Sequence, residues 1–401
     1  MRYASAAFER RVKLGDYMIG YSTFRPAMVG AAIIGAVLLA PLSVGAQEIE
    51  TPAKQAYILD AQTGTVLLDK DADSLMPPAS MSKLMTAYMI FQRLKDGRLT
   101  LEDEFLVSEK AWRKGGSKMF VEVGSRVSVE DLLRGIIVQS GNDACIVVAE
   151  GIAGSEEAFA EMMTETARKI GLEKSVFRNA TGWPDEDHVM TARELAVLAE
   201  RIIADFPEYY HYYAETSFTY NDIRQGNRNP LLYTMPGADG LKTGHTEASG
   251  YGLTASAKRD GRRIILVVNG LPSMNARSQE SGRLMDWAFR EFEALSLFKA
   301  GETVEQAEIW MGDTHTVPLV SAEDIVITVP KAARRSMVVS AVYDGPVAAP
   351  VKQGDRIATL RVALPNGTTM DYPLQAGADV EELGLFGRML AAAQHLAFGP
   401  R

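Results

Sequence analysis

The hydrophobic pattern of this 401-residue chain changes near Phe298, and that change divides the sequence into two unlike parts. Before it, segments with helical and strand periods alternate. After it, the apolar segments are short, lack a helical period and are separated by Gly, Pro and Asn-Gly turns: IVITVP, SMVVSAVY, DRIATLRVAL and TTMDYPL. The chain also exceeds the usual domain size of roughly 100 to 200 residues. We therefore predict an α+β domain at residues 47–297, followed by a small all-β domain, a β-sandwich, at residues 298–379.

Two hairpins mark the strands of the larger domain. Residues 56–60 and 65–70 flank the turn AQTG, and a second pair of strands meets at Asp260-Gly261. The segment SQESGRLMDWAFREFEAL predicts a closing helix that ends near Leu295. The order of strand, helices, strands and helix predicts a mixed, mostly antiparallel sheet with helices packed on it.

Local signals predict where the helices of this domain begin. A helix is expected soon after Pro78 and is expected to stop at Gly97. Ser128 stands three residues before Asp131, which is the spacing of a capping box. Thr191 is followed by a glutamate at the same spacing, so another helix is expected to begin there.

The first 46 residues have the composition of an export signal. An apolar run from Ala27 to Leu42 is followed by small residues up to Ala46. Basic residues precede the run: Arg10, Arg11, Lys13 and Arg25. The run is too short and too interrupted by glycine to predict a membrane span. We predict that residues 1–46 are a signal peptide cleaved after Ala46, with Met18 as a possible start; a retained N-terminal anchor is the alternative.

The last segment, residues 380–401, has apolar side chains spaced for a helix. They recur at three- and four-residue steps: Leu383, Phe386, Leu390, Ala393 and Ala397. Because Gly384 and Gly387 interrupt so short a segment, it is expected to lie in a membrane interface and not to span it. The prediction is attachment to the outer face of the cytoplasmic membrane, in the periplasm. Glu381 and Glu382 disfavour anionic lipid, so a helix docked on the β-domain is the alternative.

Composition excludes several kinds of site. A net charge of -9 and a pI near 5.3, with no cluster of Lys and Arg, argue against nucleic-acid binding. The histidines lack metal-ligand spacing, and no metal site is expected. Cys145 is the single cysteine, which excludes an internal disulfide, and it is expected to be a small buried side chain.

Ser80 and Lys83 form an S-x-x-K string at the start of the first long helix. This spacing puts both side chains on one face, one turn apart. A serine hydroxyl needs a neighbouring base to become a nucleophile, and a desolvated lysine close to another cation can be that base. A helix N-terminus also directs backbone N–H groups towards a developing oxyanion. Alone, the string is more typical of a helix start with a solvated lysine.

Two further polar strings come later in the chain. Ser140 and Asn142 follow an apolar helix and can share one wall of a cleft. In the string KTG, Lys242 and Gly244 are predicted to point to one side of a strand and Thr243 to the other. Gly244 is expected to leave room for a substrate backbone against that strand.

The order and spacing of the three strings are more specific than any one of them. S-x-x-K is followed by S-x-N about 60 residues later and by K-T-G about 100 residues beyond, the motif set of penicillin-binding proteins and class A β-lactamases. The strings PASMSKLMT, QSGNDAC, IRQGNRN and DGLKTGHTEASGY closely resemble the D-alanyl-D-alanine carboxypeptidases among the low-molecular-mass penicillin-binding proteins. The resemblance runs from about Ala53 to the C-terminus, β-domain included.

This resemblance implies catalytic roles for the residues that match the motifs. Ser80 is expected to be the acyl-accepting nucleophile and Lys83 the general base of both half-reactions. Ser140 is expected to relay a proton to the leaving D-alanine, and Asn142 to bind the substrate amide. Lys242 is expected to supply a positive charge that helps keep Lys83 neutral and attracts an anionic substrate.

The resemblance also implies how the substrate is bound. Thr243 and Arg228 match the residues that recognise its terminal carboxylate. The backbone N–H groups of Ser80 and His245 are expected to form the oxyanion hole. No cofactor is expected; the implied substrate is a peptidoglycan stem peptide, and β-lactam antibiotics are implied inhibitors.

Three other functions share parts of this pattern. A class A β-lactamase needs a deacylating glutamate on a loop; FRNATGWPDEDHVMT supplies Glu186 but not the E-x-x-x-N pattern. A wall-binding protein without activity would tolerate loss of Ser80, Lys83 or Lys242, and all three are present. A D,D-endopeptidase that cuts cross-links shares all three strings and remains an alternative function.

Residues 183–187 are predicted to form a surface turn, with a place in the substrate groove as the alternative.

Overall fold

The computed structural model describes residues 6–12 and 49–389. They form two compact units that divide after Arg290, with residues 6–12 belonging to the second unit. Each unit has its own hydrophobic core. The first combines helices with antiparallel strands and the second is built mainly of strands, so the predicted α+β class with an all-β C-terminal region is confirmed.

The first helix of the first unit lies within the hydrophobic core of that unit. Almost every residue of this helix is buried, which explains why its apolar side chains fill all faces and not one stripe. The helices are α1 (Lys83–Lys95), α2 (Glu109–Arg113), α3 (Val129–Arg134), α4 (Asn142–Ala153), α5 (Glu156–Lys169), α6 (Ala192–Asp205), α7 (Leu231–Thr234) and α8 (Met274–Glu291).

The strands form sheets within each unit. In chain order they are β1 (Ala6–Arg11), β2 (Gln55–Asp60), β3 (Thr65–Lys70), β4 (Glu104–Leu106), β5 (Arg126–Ser128), β6 (Ser217–Tyr220), β7 (Ile223–Gly226), β8 (Ala238–Thr246), β9 (Gly250–Arg259), β10 (Arg262–Leu271), β11 (Phe292–Phe298), β12 (Thr303–Trp310), β13 (Thr316–Val320), β14 (Ile325–Pro330), β15 (Val338–Gly345), β16 (Val347–Ala348), β17 (Arg356–Ala363) and β18 (Thr369–Ala376).

The main sheet of the first unit has the order β3-β2-β10-β9-β8, and every pair in it is antiparallel. Both predicted hairpins are present, as β2–β3 and β9–β10. The second turns through Asp260 and Gly261, which both have positive φ, as a tight turn between twisted strands requires. Helix α6 packs on β2 and β10, and β8 forms the edge of the sheet.

Two predicted helix starts are confirmed by their caps. The side chain of Ser128 accepts a hydrogen bond from the backbone N–H of Asp131, at the start of α3. The side chain of Thr191 accepts one from Glu194, at the start of α6. These bonds satisfy backbone donors that lack a partner within the helix.

The predicted closing helix is too long. Helix α8 ends at Glu291, and residues 292–298, which include Leu295, form β11. Strand β11 pairs with β14 and buries Phe292 and Phe298, so pairing with a distant strand decides its conformation. Helical spacing alone could not indicate this.

The second unit contains a seven-stranded sheet and the two-stranded sheet β11–β14. The seven-stranded sheet has the order β1-β15-β17-β18-β13-β12-β16. Strand β1 lies inside the predicted signal peptide and pairs antiparallel with β15. Residues 13–48, with the apolar run and the expected cleavage point, lie outside the described residues, so the cleavage stays a prediction.

The C-terminal helix begins later than the sequence predicted. Val380 is buried in the core of the second unit and bridges Val351, and Glu382 bridges Gly312. Residues 385–389 are helical, and residues 390–401 lie outside the described residues. Within the described ranges, the structure contains no helix with the length and apolarity of a membrane span.

Candidate active site

Ser80 lies in a single turn of 3-10 helix, Ala79–Ser82, that leads into α1. In such a turn, residues three apart are almost eclipsed, which brings the first residue of α1 beside the serine. The Nζ of Lys83 donates a hydrogen bond to the Oγ of Ser80 over 2.9 Å. Ala79 has a φ of 48°, a strained value for a residue with a side chain, immediately before Ser80.

Lys83 is 1% exposed and has three oxygen partners. Besides Ser80, its Nζ donates to the Oδ1 of Asn142 over 2.8 Å and to the backbone oxygen of Thr181 over 2.5 Å. Burial lowers the pKa of Lys83 to about 8, and the positive charges of Arg228 and Lys114 act in the same direction. The amine therefore gives up its proton far more readily than an exposed lysine.

The SGN string lies at the junction between a π-helical segment, Gly135–Gln139, and α4. Ser140 is buried and adopts a left-handed conformation with a φ of 66°, which turns the chain between the two helical segments. Asn142 is the first residue of α4, and its Nδ2 donates to the backbone oxygen of Gly115 over 2.9 Å. The carboxamide thus joins Lys83 to a neighbouring loop.

The next residue, Asp143, organises another stretch of that loop. Its carboxylate accepts hydrogen bonds from the backbone N–H groups of Met119, Phe120 and Val121. A buried carboxylate with several backbone donors is well compensated for its loss of water. Asp143 is not among the residues predicted for the site, although an acidic residue directly after the SGN string was a visible signal.

The KTG string lies on the edge strand β8. Lys242 is 3% exposed, and its Nζ donates to the backbone oxygen of Thr243 over 3.2 Å. Burial lowers the pKa of Lys242 well below its ordinary value, and the positive charges of Lys83 and Arg228 lower it further. The two buried lysines therefore each disfavour the protonated form of the other.

Gly244 lies against the turn that carries Ser80. A Cβ at this position would lie 2.8 Å from the backbone oxygen of Pro78 and 3.3 Å from the Cβ of Ala79. The missing side chain therefore allows β8 to pack against the turn that carries Ser80. The expectation that Gly244 also leaves room for a substrate backbone stays a prediction. The turn is also close to Gly182, where a Cβ would lie 1.9 Å from the backbone oxygen of Ala79.

Arg228 and His245 lie at the surface. The Nη1 of Arg228 donates to the Oγ of Ser117 over 2.6 Å. The ring of His245 is exposed and stacks on Tyr251, with 3.8 Å between the ring centroids. Neither residue is hydrogen-bonded to Ser80 or Lys83, but the charge of Arg228 acts on both buried lysines.

Two further residues affect the site. Arg277 of α8 is buried, and its charge also lowers the pKa of Lys242; no signal in the sequence indicated it. Cys145 is fully buried, and burial raises the pKa of its thiol to about 12, so the group is neutral at physiological pH.

Residues 6–12 and 49–389 contain no group of three or more His, Cys, Asp or Glu that could hold a metal ion.

Comparisons with known proteins match both units. A family model described as D-alanyl-D-alanine carboxypeptidase matches residues 42–273, and a model of the penicillin-binding protein 5 C-terminal domain matches residues 292–382. The D-alanyl-D-alanine carboxypeptidase DacC of Escherichia coli (strain K12) is 37% identical over 380 residues, which cover 92% of this chain and 94% of the relative. The DacA enzyme of Haemophilus influenzae is 36% identical over 368 residues, covering 88% and 93%.

Solved structures agree with these matches. Penicillin binding protein 5 from Haemophilus influenzae has a TM-score of 0.74 at 35% identity, covering 84% of this chain and all of the other. The carboxypeptidase DacD from Francisella tularensis has a TM-score of 0.77 at 31% identity, covering 85% and 96%. The resemblance carried by the three strings is confirmed, and with it the expectation of a serine-type enzyme. The chain belongs to the D-alanyl-D-alanine carboxypeptidase family of serine peptidases.

Proposed function

We propose that this protein removes the terminal D-alanine from peptidoglycan stem pentapeptides through an acyl-enzyme on Ser80. The observation that carries the proposal is the position of Lys83. Its Nζ is within hydrogen-bond distance of the Ser80 Oγ, and its pKa is lowered to about 8 by burial. A serine hydroxyl needs a neighbouring base to become a nucleophile, and an amine with this lowered pKa can lose its proton and act as that base.

In the first half-reaction, the Ser80 Oγ attacks the carbonyl carbon between the last two D-alanines, and Lys83 takes the hydroxyl proton. Backbone N–H groups of Ser80 and His245 stabilise the oxyanion. Ser140 passes the proton that Lys83 accepted to the departing nitrogen, so the C–N bond breaks, free D-alanine leaves and Lys83 is neutral again. In the second, Lys83 takes a proton from water, whose oxygen attacks the ester carbonyl. Lys83 then returns this proton to the Ser80 Oγ as the ester bond breaks, which releases the shortened peptide and restores Ser80.

The terminal carboxylate of the substrate assists this chemistry. In the free enzyme, burial disfavours the charged forms of both Lys83 and Lys242. A carboxylate bound by Thr243 and Arg228 places a negative charge close to Lys242 and raises its affinity for a proton. With Lys242 charged, repulsion keeps Lys83 neutral, so the substrate itself favours the basic form of Lys83. Asn142 binds the substrate amide beside these groups.

A β-lactam antibiotic is expected to inhibit through the same atoms. Its strained ring amide takes the place of the scissile bond, and Ser80 becomes acylated. The leaving nitrogen stays tethered to the acyl group, so it does not diffuse away as D-alanine does.

The test separates a carboxypeptidase from an endopeptidase. Purified protein is incubated with a soluble stem pentapeptide and, separately, with cross-linked muropeptide dimers, and products are identified by mass spectrometry. Loss of one alanine from the pentapeptide, with dimers unchanged, is the expected result. Cleavage of dimers with no release of D-alanine would contradict the proposal, and the Ser80→Ala variant is the control for contaminating peptidases.

We also propose that the protein works in the periplasm, attached peripherally to the outer face of the cytoplasmic membrane. Supporting this, the short helix at residues 385–389 exposes Leu385, Phe386 and Met389, and Phe386 is 89% exposed. Exposed apolar side chains on one short segment are typical of an interfacial anchor. Deleting residues 385–401 spares the buried Val380 and should move the protein from membranes to the soluble fraction. Unchanged membrane association would contradict attachment through this segment.

A further inference from the structure

A cavity of about 330 Å³ lies at the end of the main sheet where β9 turns into β10. Helix α6 contributes one wall, and the turn between β2 and β3 contributes Gln62. Among the residues that line the cavity are three apolar and three charged ones: Ile203, Ala204, Ile265, Glu200, Lys258 and Arg263. A concave site with apolar walls and a few polar groups is typical of small-molecule binding.

The cavity is separate from the active site. Lys242 of the KTG string pairs with Thr254 across β8 and β9, and Lys258 lies four residues further along β9. Four residues of a strand span about 13 Å. None of the residues proposed for catalysis or substrate binding, all of which the structure describes, lines this cavity. A ligand bound here would therefore leave the place of the substrate free.

Two cations lie next to each other on the sheet side of the cavity. Lys258 on β9 and Arg263 on β10 are directly opposite in the antiparallel register, so their side chains project from the same face. The carboxylate of Asp239 pairs with the Nη1 of Arg263 over 2.7 Å. Lys258 is exposed and has no ion-pair partner among the described residues. One carboxylate thus compensates two cations, and the ammonium of Lys258 is left for an anion.

The wall formed by α6 carries the opposite charge. Glu200 is half-buried, and its carboxylate has neither an ion pair nor a hydrogen bond within the part of the chain that the structure describes. Burial raises the pKa of this carboxyl. A half-buried carboxylate without a donor has lost part of its hydration and has no protein contact to replace it. Glu200 is therefore suited to accept hydrogen bonds from an ammonium group in the cavity.

We propose that this cavity binds a free α-amino acid with a small side chain. The ammonium group of the ligand binds Glu200, and its carboxylate binds Lys258 beside Arg263. The small side chain packs on Ile203 and Ile265. This assignment follows from the lining alone, whereas the choice of D-alanine as the ligand rests on the proposed function, because the proposed reaction releases D-alanine.

The test measures binding of D-alanine to the full chain by ligand-observed NMR titration. We expect saturable binding with a Kd of about 1 mM, as suits a ligand of few atoms. Two analogues each lack one charge: N-acetyl-D-alanine has no ammonium group and D-alaninamide has no carboxylate. Each should bind at least about tenfold more weakly than D-alanine.

Two variants assign each charge of the ligand to one side chain. Glu200→Gln should weaken D-alanine binding about tenfold and leave N-acetyl-D-alanine unaffected, because that analogue has no ammonium group. Lys258→Gln should weaken D-alanine binding to a similar extent and leave D-alaninamide unaffected. The matched control Glu208→Gln removes an exposed carboxylate that does not line the cavity, and it should leave all three affinities unchanged.

The same titration with Ser80 kept acylated by excess benzylpenicillin should give the same affinity, because the acyl group occupies the active site only. Absence of saturable binding up to about 50 mM would overturn the inference. Binding that both Glu200→Gln and Lys258→Gln leave unchanged, or that acylation abolishes, would also overturn it, since the amino acid would then bind elsewhere. Because D-alanine is added directly, a protein that releases none from a peptide would overturn the proposed function and not this site.

Discussion

The two compact units bury different kinds of side chain. Buried polar residues of the second unit in the described range 291–389 are uncharged: Ser321, Thr328 and Ser340. The first unit buries many charged residues: Asp60, Lys83, Arg93, Asp143, Glu156, Glu194, Lys242, Arg277 and Glu280. Burying a charge costs folding free energy unless hydrogen bonds or an opposite charge compensate it. A unit with several buried charges therefore uses some of them for structure and others for chemistry.

The hydrogen-bond and ion-pair partners of these buried charges distinguish a structural role from a chemical one. Asp60 is paired with Arg262 over 2.6 Å, and the carboxylate of Asp143 is saturated by backbone donors. In the described ranges, Lys83 and Lys242 form no ion pair with a carboxylate, and burial lowers the pKa of each. Arg93 and Arg277 also form no ion pair in the described ranges, but a guanidinium keeps its proton, whereas a buried lysine can lose it. The two lysines are therefore the members of this buried set that are suited to proton transfer.

The largest effect is expected from removing the proposed base. Lys83→Ala should reduce both peptide hydrolysis and β-lactam acylation by at least about 10³-fold, since no other base among the described residues forms a hydrogen bond with Ser80. The control Lys352→Ala removes an exposed lysine of the second unit, paired with Glu381, and should leave both rates unchanged. Stopped-flow kinetics measure the rate of β-lactam acylation, and the release of D-alanine measures the rate of peptide hydrolysis. Wild-type acylation by Lys83→Ala would show that the base lies elsewhere.

A smaller effect is expected at the second buried lysine. Lys242→Arg keeps a positive charge but replaces a compact amine by a planar guanidinium at a 3% exposed position. Turnover of the peptide should fall by about 10- to 100-fold, while slow acylation by penicillin persists. If hydrolysis and acylation were both abolished, as for Lys83→Ala, the two lysines would not have separate roles.

The pH dependence tests the lowered pKa of Lys83 directly. Only the neutral amine can accept the Ser80 proton, so kcat/KM should rise with pH and level off above about 8, near the pKa of Lys83. A lysine with its ordinary pKa of 10.5 would place this rise more than two pH units higher. Initial rates of D-alanine release between pH 6 and 10 measure the profile. A rate that is constant or falls from pH 7 to 9 would contradict a base with this pKa.

Local chemistry explains what the sequence could predict. The caps at Ser128 and Thr191, and the turn at Asp260-Gly261, depend on residues close in sequence, and all three are present. The pairing of Ser80 with Lys83 is equally local. These features follow from side chains and backbone within one turn, so no knowledge of the tertiary fold was needed.

Features that depend on distant segments were missed. The bond between Lys83 and Asn142 joins residues 59 apart, and the packing of Gly244 on Pro78 joins a strand to a turn. The end of α8 at Glu291 is decided by strand pairing of the residues that follow. Neither periodicity nor motif spacing reports which face of a strand meets which turn.

The smallest effect on activity is expected in the second unit. Leu360 is fully buried in its core, and Leu360→Ala should destabilise that unit by about 2–5 kcal/mol. The kcat/KM per folded molecule at 25 °C should stay within about twofold of the wild type. Calorimetry and peptide assays on the same sample check both statements. A large loss of activity without loss of folded protein would show that the core of the second unit also contributes to activity.

Covalent labelling of Ser80 is the most direct measurement of the central claim. Purified protein is incubated with benzylpenicillin, its intact mass is determined, and the modified peptide is identified after digestion. We expect one adduct per chain, located on Ser80, and none on the Ser80→Ala variant. A protein that stays unmodified, or an adduct on any other residue, would contradict the assignment of Ser80 as the nucleophile.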